Sequence, residues 1–561
     1  MTVLRDTLIL TIVCAVLYAP GAATIPLYTR GEPREAQVVR RLATGGAWLV
    51  PVRGNGKLTR KPPLYYWLGA ASWTSLPGRP EVAVRLPSIV GGTIGVLATY
   101  GTASLAFGPQ AALPAAVVLA TAFEWLRAST RARLDMTLAA PLALLLLAWV
   151  GALAGRRRWP PPLATTALAL AVLAKGPVAL VLASGAAGVT WWLHRHTVRL
   201  RVFAVPIALA GGLGAVWYVA AWLQHGETFA TIVLAENVGR FLDAGEGNAG
   251  HEHGMAYLLV LGLVGLLPWV PLLPLAAGPA RDLRRSPAAT LLVAWPAVVL
   301  AFFALSSGKR GVYLLPAQPA LAVLIGAGTT TVVSRASGAT RWLTLVYAPA
   351  LLAVCVLAVL TAAGFAWNTV TATLLTGRDH ELFGGFTARA TDHRGGVALM
   401  ALAALAAAAG VAHLRRRGSW RGMVLAVGTL MVALTATFQT ALHPAVGRAE
   451  SLAGFLQGLA PILEGDSVVY AARPVDPEVG YYAPLPVEPW PREGLAQPAW
   501  LLTWESQLGE WTDAAGNPLE PVATSDVERG RNGPLLLLRI PPSARRRPPA
   551  RPGARTSSQN G

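Results

Sequence analysis

A few charged residues stand out in this chain because they sit beside prolines, glycines and aromatics at the ends of apolar runs. Glu32 opens the stretch GEPREAQVVRRLATGG, Asp135 closes RASTRARLD, and Lys61 lies in GKLTRKPPLYYW, ahead of Pro62-Pro63 and Tyr65-Tyr66-Trp67. Lys175 in AKGP, and Lys309 and Tyr313 in SSGKRGVY, repeat the pattern. Two carboxylates on one cleft suit general-base work. A lysine seated by interfacial aromatics meets the depth of a lipid phosphate. Each stretch also has a plainer reading: Glu32 as a helix cap, and Lys61 as an anchor for any anionic lipid.

The elements that must position these residues are membrane spans. The chain has 561 residues, 54% hydrophobic and 13% charged, with mean hydropathy +0.48, and its apolar residues come in runs near the length of a bilayer crossing. This predicts a polytopic all-α membrane protein with about thirteen spans, near 7–27, 86–107, 111–127, 136–153, 161–174, 176–193, 203–223, 256–277, 288–306, 313–333, 341–365, 397–413 and 421–440. The net charge of +19 does not indicate a nucleic-acid partner, because the arginines form short clusters between spans and no continuous basic face. Cys14 and Cys355 lie inside apolar spans with no disulfide or zinc spacing. The first apolar stretch, from Leu8 to Ala23, reads as an uncleaved span and not as a signal peptide.

Charge orients the spans. Clusters at Arg156 to Arg158, Arg195 to Arg201, Arg281 to Arg285 and Arg415 to Arg421, with a weaker one at Arg335 to Arg341, mark cytoplasmic exits when the N-terminus is inside. The loops at 28–85, 127–135, 174–177, 224–255 and 306–313 then face outward, and their cations, placed against the positive-inside trend, converge on a shared site at the outer face. In the first of them Pro33 is expected at the first helical position and Gly45-Gly46 at the helix end. Ala36, Val39, Leu42 and Ala43 form an apolar stripe opposite Arg34, Glu35, Arg40 and Arg41, so the helix is expected to lie in the interface plane, with Glu32 just before it.

Eight stretches in order give a resemblance. E-x-R-x-A from Glu32, KPPLYYW from Lys61, RLPS from Arg85, R-x-D-M ending at Met136, KGP from Lys175, N-x-G-R-F ending at Phe241, LLPW from Leu266 and SSGK-x-x-x-Y-L-L-P from Ser306 together look like bacterial glycosyltransferases of the ArnT and protein-mannosyltransferase superfamily. The resemblance covers roughly 7–440. It implies the GT-C fold and transfer of one sugar from a polyprenyl phosphate donor to an acceptor hydroxyl of the cell envelope, at the outer face of the bacterial plasma membrane. It further implies that Glu32 and Asp135 act on the acceptor, and that Arg34, Lys61, Arg240, Lys309 and Tyr313 hold the lipid-linked phosphate, with Lys175 also binding substrate.

The chain departs from the family pattern in places. Gly31 and Glu35 stand where many members carry an acid and a tyrosine, which leaves Glu35 as a rival acid, and Arg60 replaces the acid that typically precedes the KPP lysine in aminoarabinose transferases. His251 and His253 offer a possible divalent-metal site, or a solvent-facing pair. Beyond residue 440, DSVVYAA, PAWLLTW and GPLLLLRI read as short strands of a small outward α/β domain (441–540), a contributor to an acceptor site or a packing appendage. The Pro/Arg-rich tail at 541–561 is expected to be disordered. A polyprenyl-lipid transporter or flippase is the alternative, but it would place charges at mid-span and relate two halves of the chain. Most spans here have uncharged centres, and no internal repeat is visible. A non-catalytic lipid-binding scaffold would need the cations but not the carboxylates.

Overall fold

The computed structural model describes residues 2–29, 31–54, 56–155, 160–239, 254–281, 286–306, 308–331, 420–465, 468–472, 476–491, 497–512, 518–528, 532–541 and 545–546, with isolated positions between 356 and 410. Two compact units are formed. One holds Met1–Ile25 and Val38–Ala445, the other Pro26–Gln37 and Val446–Gly561.

The first unit is helical. Among the described residues seven helices are long and apolar enough to cross a membrane, and two bent pairs raise this to nine. Lipid contact is legible on them. On the helix Arg201–Leu234, Val205, Leu209, Leu213, Val216, Val219 and Leu223 are exposed at intervals of three and four residues, and Leu4, Leu8, Ile12 and Val16 do the same on Thr2–Tyr18. Such stripes would be untenable in water, and they mark a multi-pass membrane protein. Two expected spans prove broken: Pro109–Thr121 and Phe123–Ser129 meet at 65°, and Met255–Gly265 and Val270–Ala280 at 98°. The first bend is an extended residue, Ala122 (φ −66, ψ 133), whereas Gly265, Pro268 and Pro271 lie at the second, where the prolines remove donors that a straight helix needs. Pro160–Lys175 and Val178–His194 are shorter than a full crossing, whereas Arg201–Leu234 is broken at Gly226 (φ 55, ψ −137), so that its first part matches the expected span 203–223 and a second helix follows. The expected spans 341–365 and 397–413 lie outside the described residues apart from isolated positions.

Close approach to Pro80–Phe107 sets the first part of the site. Gly92 and Gly95 leave room for Ser129 and the Trp125 ring, and Trp125 Nε1 donates to the Gly92 carbonyl at 3.3 Å. Further along the same helix, Ser88 Oγ accepts from the Arg133 backbone N–H at 3.4 Å and donates to the Arg133 carbonyl at 3.2 Å, which fixes the residue ahead of Leu134–Leu153. The arginine of RLPS is structural: Arg85 is 2% exposed and its Nη1 donates to the carbonyls of Ile25 (2.6 Å) and Ala22 (3.1 Å), where Pro20–Thr24 ends.

The second unit carries strands β1 (Val469–Ala471), β2 (Val487–Pro489), β3 (Ala499–Trp504), β4 (Trp511–Thr512), β5 (Pro521–Glu528), β6 (Pro534–Ile540) and β7 (Arg545–Arg546). Five form a mixed sheet in the order β2-β1-β3-β6-β5, with β1 parallel to β2 and β3 and the remaining pairs antiparallel. Leu501 faces Leu538 in register, and both pack with Trp511, Leu536 and Ile540 in its core. DSVVYAA, PAWLLTW and GPLLLLRI supply β1, β3 and β6. Within the Pro/Arg-rich tail, Arg545 and Arg546 pair with Thr512 and Trp511.

Candidate active site

The KPP lysine reaches its place through an ordered turn. Val52 and Leu58 bridge antiparallel, Arg53 N–H donates to the Lys57 carbonyl at 2.8 Å, and Gly56 takes φ 76, a conformation that favours glycine. Val50 and Leu58 pack against Trp217, Tyr218 and Phe229 of Arg201–Leu234, and Trp217 Nε1 donates to the Leu49 carbonyl at 2.8 Å. Beyond the break at Gly226 the chain is helical again and runs on into a π-helical turn, Ala235–Gly239, which carries Glu236. Lys61 Nζ lies 2.5 Å from Glu236 Oε1, with the Lys61 side chain 27% exposed and that of Glu236 2%.

Tyr65 and Tyr66 are not the head-group anchors expected of them. They are 0% and 2% exposed, and the Tyr65 hydroxyl donates to the Val84 carbonyl at 2.8 Å. They face inward because Leu64–Ser75 packs on Pro80–Phe107. Trp67 is half-buried beside Val50, Leu58 and Trp217, and its Nε1 donates to the carbonyl of exposed Trp48 at 2.7 Å.

A second ion pair joins two helix ends. Asp135 lies in the first turn of Leu134–Leu153, and Lys175 is the last residue of Pro160–Lys175, which packs against it. An acid at a helix N-terminus and a base at a C-terminus each complement the local dipole. Lys175 Nζ donates to Asp135 Oδ1 at 2.5 Å and lies 4.9 Å from the centre of the Tyr313 ring, which stacks on Phe303. The charges of Arg133 and Lys61 also act on Asp135.

The two pairs are brought together at Gly176. Its φ is +81, and a Cβ there would fall 2.6 Å from the Tyr218 hydroxyl, 3.4 Å from Asn237 Oδ1 and 3.9 Å from Pro62 Cγ. KGP, KPP and the π-turn therefore meet at one backbone position that admits no side chain. Arg133 borders the cluster. Its Nε is buried without a hydrogen-bond partner, and burial pulls its guanidinium below the usual arginine range. Lys309 Nζ donates to the Ser306 carbonyl at 2.9 Å.

Glu32 belongs to the second unit. The helix of the first loop runs Gly31–Ala43, so Glu32 sits inside the first turn and not before it. Thr29 Oγ1 donates to its Oε2 at 3.2 Å. Ala36, Val39 and Leu42 are buried as expected of the stripe, but Glu32 and Glu35 are buried too, at 2% and 6%. Glu35 accepts at Oε1 from Nε and Nη2 of the half-exposed Arg34, at 2.9 and 2.7 Å. Arg240, His251 and His253 lie outside the described residues. Among the described residues no group of three or more His, Cys, Asp or Glu gathers as a metal site would require. Glu236 was the residue missed from the sequence. Its only signal is an acid at the end of a long apolar run, directly before the asparagine of N-x-G-R-F.

Solved structures place this architecture. ArnT from Cupriavidus metallidurans bound to undecaprenyl phosphate superposes with TM-score 0.73 over 94% of this chain and 97% of its own, at 21% identity. The apo state of the same protein gives 0.73 at 20% identity, covering 96% and 98%. The chain has the ArnT-type GT-C fold. Residues 60–225 match the family model of dolichyl-phosphate-mannose-protein mannosyltransferase. In sequence the chain is similar to undecaprenyl phosphate-alpha-4-amino-4-deoxy-L-arabinose arabinosyl transferases. It is 27% identical to that of Erwinia tasmaniensis over 330 residues (57% of this chain, 59% of the relative), and 30% identical to that of Pseudomonas aeruginosa over 324 residues (57% and 58%). The matched stretch thus spans under two thirds of these relatives' length.

Proposed function

We propose that the protein is an integral membrane glycosyltransferase that moves a single hexose or pentose from a polyprenyl phosphate donor to a hydroxyl of a lipid, glycan or protein of the cell envelope. The reaction runs at the extracytoplasmic face of the bacterial plasma membrane. The observation that carries this reading is the paired cluster around Gly176, in which Lys61 and Lys175 are held by Glu236 and Asp135. The similarity to arabinosyl transferases favours group transfer over a transporter or flippase.

In the proposed step the acceptor oxygen attacks the anomeric carbon as the bond from that carbon to the phosphate oxygen breaks, with inversion. The bonding pair leaves on the phosphate, which becomes a monoester with added negative charge, and the acceptor proton passes to a carboxylate. Cations set in place beforehand stabilise that charge more in the transition state than in the ground state. Lys61 is assigned to the phosphate, with Arg34, Arg240, Lys309 and Tyr313 as further substrate contacts. Glu32 is assigned the proton, and Asp135, paired with Lys175, the ordering of that lysine. Arg60 in place of an acid weighs against aminoarabinose as the sugar.

Mass spectrometry of envelope glycans and polyprenyl lipids in cells with and without the gene tests the proposal. Deletion should remove a sugar from one envelope component and raise the matching polyprenyl phosphate sugar. That donor, presented to purified protein in nanodiscs, should then release polyprenyl phosphate. Unchanged glycans and lipids would refute it.

A further inference from the structure

The acidic segment of the first loop is folded with the C-terminal sheet unit, since Pro26–Gln37 and Val446–Gly561 make one compact body. The short helix Pro477–Tyr482 holds that segment at both ends. At one end the Leu27 backbone N–H donates to the Tyr482 hydroxyl at 2.8 Å, with Leu27 fully buried. At the other, Gln37 Nε2 donates to the Pro477 carbonyl at 2.6 Å. Gly480 lies against the same amide, because a Cβ there would stand 2.9 Å from Gln37 Nε2. Glu32, Arg34 and Glu35 all fall between the two contacts.

The helix that makes these contacts is itself fixed. Asp476 Oδ1 accepts from the Glu478 backbone N–H at 3.0 Å. The Glu478 carboxylate, 1% exposed, accepts from Ser451 Oγ at 2.5 Å and from the Leu452 N–H at 2.8 Å, and so ties the helix to the start of the unit. Buried polar contacts of this kind fix a geometry that apolar packing alone leaves loose.

We propose that Pro477–Tyr482 is a positioning element for sugar transfer: it clamps Leu27 and Gln37 and thereby sets the carboxylate of Glu32. The inference rests on the assignment of Glu32 as proton acceptor. A base misplaced by about 1 Å costs on the order of a hundredfold in rate, which gives the sheet unit a part in the reaction without any residue of its own touching substrate.

The test compares full-length Tyr482→Phe, Gly480→Ala, Glu32→Gln and the Tyr482→Phe/Glu32→Gln double variant in nanodiscs. Hydrogen exchange is read across residues 26–37, and turnover is read as release of polyprenyl phosphate from the polyprenyl phosphate sugar that accumulates in cells lacking the gene. Tyr482→Phe removes the acceptor of the Leu27 N–H, and Gly480→Ala displaces Gln37. Each should speed exchange in 26–37 while leaving β3 and β6 unchanged, and should lower kcat about tenfold or more with donor KM near wild type. Added to Glu32→Gln, Tyr482→Phe should have no further effect. A loosened segment with wild-type kcat, or an equal loss in both backgrounds, would overturn the clamp and leave the role of Glu32 standing. Wild-type turnover in Glu32→Gln alone would instead overturn the proton assignment, and that outcome appears without reference to Tyr482.

Discussion

Replacing Lys61 with alanine should perturb stability and turnover together, and the Lys61–Glu236 pair lets the two effects be separated. Glu236 is almost fully buried, while about a quarter of the Lys61 side chain is exposed. Taking one partner from a buried ion pair costs about 3–5 kcal/mol, and the partial exposure of Lys61 argues for the low end, about 3 kcal/mol. Neutralising the carboxylate as well removes most of that penalty, so Lys61→Ala/Glu236→Gln should unfold close to wild type. Turnover should behave differently. If Lys61 stabilises the phosphate as charge builds on it, its loss costs about 3–4 kcal/mol of transition-state binding, roughly two to three orders of magnitude, and Glu236→Gln restores none of it. Thermal unfolding in nanodiscs followed by tryptophan fluorescence, beside polyprenyl phosphate release by the same samples, completes the cycle. Recovery of turnover in the double variant would show that Lys61 acts through structure alone. Wild-type stability in Lys61→Ala would show that the pair contributes nothing to the fold.

Three further outcomes are expected. Glu32→Gln should bind a polyprenyl phosphate donor near normally and lose most transfer; if it keeps full transfer while Asp135→Asn abolishes it, the roles of the two acids must be exchanged. Gly176→Ala should lose most turnover and lower the melting temperature, since the new Cβ takes a positive φ and meets the Tyr218 hydroxyl, and wild-type behaviour would disprove the convergence of the three segments there. Cysteines introduced at Lys57 and Asp526 should both react with an impermeant maleimide in intact spheroplasts, and protection of both would reverse the orientation read from the arginine clusters.

Much of the helical unit was legible in the sequence because a bilayer demands long apolar runs, and such runs end where prolines, glycines and charges begin. The bends at Ala122 and near Pro268 were not, since an apolar run carries no mark of the angle within it. Lys61, Asp135 and Lys175 were legible as charges at the ends of spans, but their pairing was not: the partner of Lys61 lies 175 residues further on, and only the packing of Trp217 and Phe229 on the loop brings it near. Tyr65 and Tyr66 misled for a related reason, because an aromatic at the end of a span serves equally as a membrane anchor or as core until the neighbouring helix is placed. In the sheet unit, apolar β1, β3 and β6 declared themselves, whereas β5, an edge strand with much of its length exposed, reads as polar loop.

The two ion pairs beside Gly176 bear on how an enzyme with this site would finish its cycle. Lysines standing open would grip an anionic carrier hardest after the sugar has gone, when its charge is greatest, and the spent carrier would become an inhibitor. Here each ammonium already has a carboxylate at hand, so a phosphate arriving at Lys61 would have to compete with Glu236 for it, and one departing would leave behind a lysine that is satisfied at once. Part of the gross attraction would be given up in exchange for turnover.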